Sequence, residues 1–199
     1  MRGVLEQVGD FFEQGGYVMP PLVLGAMLLW YALGYRMLVL RRGRGGSVRE
    51  LIARYERQPV RHAPRGVIDR AVFEGLALAR KGVDDLRRHL DVAFSGPERD
   101  IAKFGYLASA IVVVAPLAGL LGTVSGMIET FDSLGEMALF TQSGGIAGGI
   151  SEALFSTQMG LAVAIPGLLV GRVLARKQAR LQADLDQIKN LLCAREAAV

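Results

Sequence analysis

The chain has 199 residues, of which 51% are hydrophobic and 25 are glycine, one cysteine, and a formal net charge of +4. Such a length suits one or two soluble domains, but no charged residue occurs in 14–35, 104–128 or 153–171. That excludes an ordinary soluble helical bundle, whose solvent faces carry charges every few residues, and the lone cysteine excludes a disulfide framework.

A helix needs about 20 apolar residues to cross ~30 Å of hydrocarbon, and each uncharged stretch is near or above that length. Residues 1–16 are an acidic leader (Glu6, Asp10, Glu13) before a first span over 17–40. Pro20 and Pro21 stand at its outer start, where missing N–H donors cost least. Tyr35 and Arg36 suit the inner interface, where an aromatic ring and a snorkelling guanidinium are stable. This is not a cleaved signal peptide: it lacks a basic n-region and ends in arginines rather than a small-residue cleavage site.

Residues 41–103 read as a small helical domain. A basic, glycine-rich hinge (Arg41–Gly46) precedes Ser47, which caps a short helix, VRELIARYERQ. Pro64 opens a longer amphipathic helix with Val67, Ile68, Ala71, Val72, Gly75, Leu76 and Ala79 at helical spacing, interrupted at Gly82. Val83, Leu86, Leu90 and Ala93 continue a weaker stripe. Ser95-Gly-Pro-Glu98 has the form of a capping box, which predicts a new helix running unbroken through the second span (104–128) to about Leu134. A connector (129–144) leads to the third span (145–171), which begins near the glycine run 144–149. A C-terminal helix (172–199) continues with Val173, Leu174, Leu181, Leu185, Ile188, Leu191 and Leu192.

Arg41, Arg42 and Arg44 follow the first span, and Arg172, Arg176, Lys177 and Arg180 follow the third, whereas 129–151 holds no Lys or Arg. The positive-inside rule therefore places 41–103 and 172–199 inside, the N-terminus and connector outside. These basic residues read as membrane-flanking anchors rather than a nucleic-acid surface.

Enzyme signatures are missing: no HExxH, paired cysteines, Walker-type lysine loop or nucleophile elbow. The two histidines, His62 and His89, read as surface residues. GLLGTVSG (119–126) lacks a lysine and lies in an uncharged span, so it is no phosphate loop. It reads as packing instead. Ala115, Gly119 and Thr123 form one small-residue row and Ala118, Gly122 and Gly126 another, matched on the third span by Ser156, Gly160 and Ala164. Thr123 and Thr157 are expected at similar depth on antiparallel spans, either lining a polar path or bonding back to their own helices. Glu152 is either an interfacial acid favoured by the helix dipole or, if the helix starts near Gly145, a functional intramembrane carboxylate.

The segments APLAGLLGTVSGMIETF (115–131) and GGIAGGISEALFSTQMGLAVAIP (144–166) resemble the MotA/TolQ/ExbB proton-channel family, on its ExbB/TolQ side. The resemblance covers roughly 100–175. It implies an all-α, three-span protein of the bacterial inner membrane, N-terminus periplasmic and C-terminus cytoplasmic, built as a homo-oligomer, expected to be a pentamer. It further implies an ExbD- or TolR-like single-span partner bringing a membrane aspartate, a TonB- or TolA-like protein beyond it, and no cofactor besides the transported proton. By the motif, Thr123 and Thr157 correspond to pore-facing threonines and Glu152 to the acid of the ISEAL-type segment. Three spans rather than four, and a small cytoplasmic domain, set the chain apart from motility stators. The alternative is a scaffold subunit in which these residues are packing glue.

Overall fold

The computed structural model describes residues 16–43, 46–57, 66–82, 84–137 and 144–196. A short 3-10 turn at Gly16–Val18 leads into α1 (Met19–Val39), followed by α2 (Val48–Arg57), α3 (Val67–Arg80), α4 (Leu86–Ala102), α5 (Gly105–Met137) and α6 (Gly144–Glu196). Three stretches are long and apolar enough to cross a membrane: Gly16–Val39, and one within each of Leu86–Asp132 and Gly149–Arg195. The protein is an all-α membrane protein. Pro116 lies within α5 and Pro166 within α6, as membrane helices tolerate where neighbouring helices re-satisfy the freed carbonyls.

The chain divides into two compact units, one from Met1–Leu33 and Tyr106–Gly171, the other from Gly34–Gly105 and Arg172–Val199. The expected leader lies almost wholly outside the described residues.

In the first unit, Val18 and Leu22 of the α1 end bury against Ala115 and Ala164, with Ala118 and Val163 alongside. Gly25 faces Ile111, and a Cβ at Gly167 would lie 2.6 Å from Leu29 and 2.9 Å from Val112. The expected connector (129–144) is mostly helix, since α5 continues to Met137 and α6 begins at Gly144; residues 138–143 lie outside the described set.

The second unit joins two segments that read separately in the sequence. Residues 41–103 and 172–199 share one core, in which Ile68, Val72, Leu86, Leu90 and Phe94 are buried together with Leu174, Leu181, Leu185, Ile188 and Leu192. Gly75 sits where three helices converge: a Cβ there would come 2.7 Å from Leu192 and 3.4 Å from Leu90. Lys189, 9% exposed, reaches Asp91 at 2.7 Å and Glu98 at 2.9 Å, with its ammonium 5.8 Å from the Phe94 ring centre.

Two expectations about helix ends are corrected. The capping box at Ser95 is not a helix start: α4 runs through it, with Pro97 inside, from an N-cap at Asp85 that accepts from the Arg88 N–H. The Ser95 hydroxyl donates to the Val92 carbonyl at 2.8 Å, because preceding helical turns already supply that acceptor. Nor is the helix unbroken into the second span. It stops at Ala102, and Phe104 takes a left-handed φ of 59° before α5 begins. Phe104 packs edge-on to Tyr35 at 5.1 Å, and the Lys103 ammonium lies within 5.6 Å of both ring centres. The cap expected at Ser47 is present and forms a reciprocal capping box: Ser47 Oγ accepts from the Glu50 N–H at 3.3 Å, and the Ser47 N–H donates to Glu50 Oε2 at 3.1 Å.

Candidate functional site

The span helices α5 and α6 meet along a seam of small residues. A Cβ on Gly119 would stand 2.9 Å from the Ser156 carbonyl oxygen and 3.0 Å from Thr157 Cα. One on Gly160 would stand 2.7 Å from the Ala115 oxygen and 3.2 Å from Gly119 Cα. Gly126 faces Gly149 and Ala153, and Gly122 faces the Ser156 side chain. The backbones therefore touch, leaving no room for water between these helices at those levels. Gly119, Gly122, Gly126, Ser156 and Gly160 all lie on this seam.

The seam does not follow either predicted row. It takes Ala115 and Gly119 from one, then Gly122 and Gly126 from the other, alternating steps of four and three. Repeated steps of four advance 400°, so a strict row drifts about 40° per step around the helix. Thr123 has drifted off the contact line and is half-buried.

The hydroxyls are distributed around this seam with their donors committed. Thr157 Oγ1 donates across to the Gly119 carbonyl at 3.2 Å, while Ser156 Oγ lies 3.2 Å from the same oxygen and 2.9 Å from the Ala153 oxygen. Thr123 Oγ1 donates to Leu120 of its own helix at 2.7 Å. The two threonines are not level. Thr157 meets Gly119, about one helical turn (~6 Å) from Thr123.

α1 covers only one flank of the seam. On that side Tyr17 hydrogen-bonds Ser125 at 2.5 Å, and Ala118 and Val163 pack against Val18 and Leu22. Thr123 and Thr157 fall on the other flank, bordered by the exposed Leu120 and Met127 of α5 and Leu161 and Leu168 of α6. A hydroxyl has one donor and two acceptor lone pairs. With the donors turned inward, both threonines keep acceptor capacity on the uncovered side.

Glu152 lies about two turns inside α6, which begins at Gly144; its side chain is outside the described set. Positions 152 and 157, five residues apart, are rotated by about 140° around the helix axis. Thr130 joins the seam without standing out in the sequence. It is 3% exposed, donates to the Gly126 carbonyl at 2.7 Å and contacts Gly149. Its position one turn beyond Gly126 is the signal that marks it. Among the described residues, no three His, Cys, Asp or Glu side chains cluster to hold a metal.

Comparison with known proteins bears on this site. Residues 63–187 match the family described as the MotA/TolQ/ExbB proton channel family. The ExbB-like 1 protein of Synechocystis sp. is 33% identical over 187 residues, covering 86% of this chain and 72% of that protein. ExbB-like 3 of the same organism is 38% identical over 126 residues, 60% of each. The biopolymer transport protein ExbB of Salmonella typhimurium is 36% identical over 84 residues, covering 42% of this chain and 34% of that one.

Proposed function

The chain belongs to the MotA/TolQ/ExbB proton channel family, and from that premise we propose that it is the ExbB/TolQ-type subunit of an inner-membrane motor. In this reading it conducts protons and, with an ExbD- or TolR-like partner, couples the proton motive force to TonB-dependent uptake or Tol-type envelope work. The N-terminus is periplasmic and the C-terminus cytoplasmic, following the distribution of arginine and lysine.

The observation that carries the reading is the uncovered flank of the α5/α6 seam, where Thr123 and Thr157 hold acceptor lone pairs outward among apolar neighbours. Backbone contact closes the seam itself, so protons would pass along that flank, against a helix from another copy or from the partner. The spans supply one acid, Glu152, near their outer end. A relay needs a second titratable group, which a partner aspartate provides. One charge crossing 100 mV releases ~2.3 kcal/mol, so a few protons per cycle suffice to move a packed helix.

A scaffold role is the second reading. It is favoured by the same hydrogen bonds, since the donors of Thr123, Thr157 and Ser156 all end on backbone carbonyls. Thr157→Ala and Glu152→Ala separate the two readings. The channel reading expects normal oligomer assembly on native gels and loss of uptake or envelope function driven by the proton motive force. Full activity in cells removes these residues from the ion path, and failed assembly favours the scaffold.

A further inference from the structure

At the Val39 end of the first span, the second unit holds a cleft of about 1400 Å³. Its lining joins Met37 and Leu38, 58% and 64% exposed, to five cations: Arg41, Arg42, Arg70, Lys177 and Arg180. Among the described residues, two acids, Glu74 and Asp100, face them.

The cleft wall is built rather than incidental. The first two N–H groups of α3, from Val67 and Ile68, donate to the carbonyls of Arg41 and Arg42 at 3.1 and 3.3 Å. Gly66, at φ 107°, packs against Gly43 so closely that a Cβ would collide with backbone. Arg42 is committed to Asp184 at 2.8 Å, and Arg70 lies 3.9 Å from Glu74. Among the described residues, Arg41, Lys177 and Arg180 have no acidic partner. Three uncommitted cations thus surround a space whose other wall is the last apolar turn of a membrane helix.

We propose that this cleft seats the headgroup of an anionic phospholipid, its phosphate among Arg41, Lys177 and Arg180 and its acyl chains along Met37 and Leu38. Guanidinium groups suit phosphate oxygens as paired donors, and basic pockets at the edge of a span attract anionic headgroups. The apolar wall selects a lipid over a soluble anion. The site does not depend on which way the chain is oriented.

The test uses the full-length protein with its natural partners, reconstituted in nanodiscs of equal phosphatidylglycerol and phosphatidylcholine. Lipids retained after detergent extraction are counted by native mass spectrometry. The wild type is expected to retain phosphatidylglycerol over phosphatidylcholine, a preference that weakens as salt rises. The triple variant R41Q/K177Q/R180Q is expected to lose that preference by at least about tenfold, each cation near an anionic surface contributing several-fold. A charge-matched control at exposed sites away from the cleft, R54Q/R87Q/R88Q, is expected to keep it. Equal retention of both lipids by the wild type, an unchanged triple variant or an equal loss in the control overturns the proposal. So does retention of inorganic phosphate by delipidated protein as tight as that of phosphatidylglycerol, which marks a free-anion site, or displacement of the lipid by an acidic segment of the partner. The salt dependence reads the same interaction without any variant.

Discussion

Helix α6 packs in two different ways along one stripe. Through the membrane-crossing half, its contact positions are Gly149, Ala153, Ser156, Gly160, Ala164 and Gly167. Beyond Gly171 steps of seven, four, three and four residues bring Leu174, Leu181, Leu185, Ile188 and Leu192 into the core. The periodicity is unchanged, but the side chains change from the smallest to large. Lipid tails are as apolar as leucine, so burying leucine between spans gains little, and close backbone approach supplies the cohesion instead. In water each buried Leu or Ile side chain contributes ~1.5–3 kcal/mol, and size is favoured.

Polar groups differ in the same way. Among the described residues, the first unit has no ion pair, and its hydroxyls end mainly on carbonyls. The second unit uses charge: Lys189 with Asp91 and Glu98, Arg42 with Asp184, and Arg195 with Glu56.

The contrast breaks most sharply at Gly160. Gly160→Leu would drive a side chain into the Ala115 and Gly119 backbones, which no rotamer relieves. The expected cost is ~3 kcal/mol, read as a lowered midpoint in thermal unfolding of the detergent-solubilised protein. Gly171→Ala, with nothing within 4 Å of the new carbon, is expected to be neutral or to stabilise by up to ~1 kcal/mol through helix propensity. If both behave alike, close approach is not what holds the spans.

The charged unit is tested next. Lys189→Ala leaves two acids without their partner. Because Asp91 and Glu98 side chains are 55% and 37% exposed, water recovers part of the loss, and ~1–2 kcal/mol is expected in thermal unfolding of the detergent-solubilised protein. The pH profile sharpens this. The hydrogen bond from Lys189 holds the Asp91 carboxyl below its ordinary range. At Lys189 burial opposes the charge, but its hydrogen bonds to Asp91 and Glu98 prevail and raise it above 10.5. A depressed acid stabilises above its unfolded pKa and loses that contribution as pH falls through its folded value; a raised lysine loses its own only as pH climbs past 10.5. The wild type's advantage over Lys189→Ala should therefore hold at neutral pH and shrink in acid and in strong alkali.

The smallest effect compares two serines. Ser47→Ala removes a true cap and should cost ~1 kcal/mol, whereas Ser95→Ala, within α4, should cost under ~0.5 kcal/mol, measured by the same thermal unfolding. Equal losses would mean that Ser95 carries more than its bond to Val92.

These serines also show where sequence reading succeeds. Ser47 follows directly on Gly46, whose φ of 137° is not helical, so its box starts a helix. Ser95 has the same signature, but Leu86–Ala93 already form helix, and the local motif yields to the longer pattern. The contact line alternates steps of four and three, because a row read in steps of four alone overshoots each turn by 0.4 of a residue. The left-handed break at Phe104 left no sign in composition, since it rests on Tyr35, nearly 70 residues away.

Three membrane-crossing helices and the family to which they belong are legible in the amino-acid sequence, because uncharged length and motif spacing are local properties. Packing between distant segments sets the core shared by residues 41–103 and 172–199, the flank of the seam that α1 leaves open, and the meeting of Thr157 with Gly119. Those outcomes depend on which distant surfaces come together, and local spacing carries no record of that.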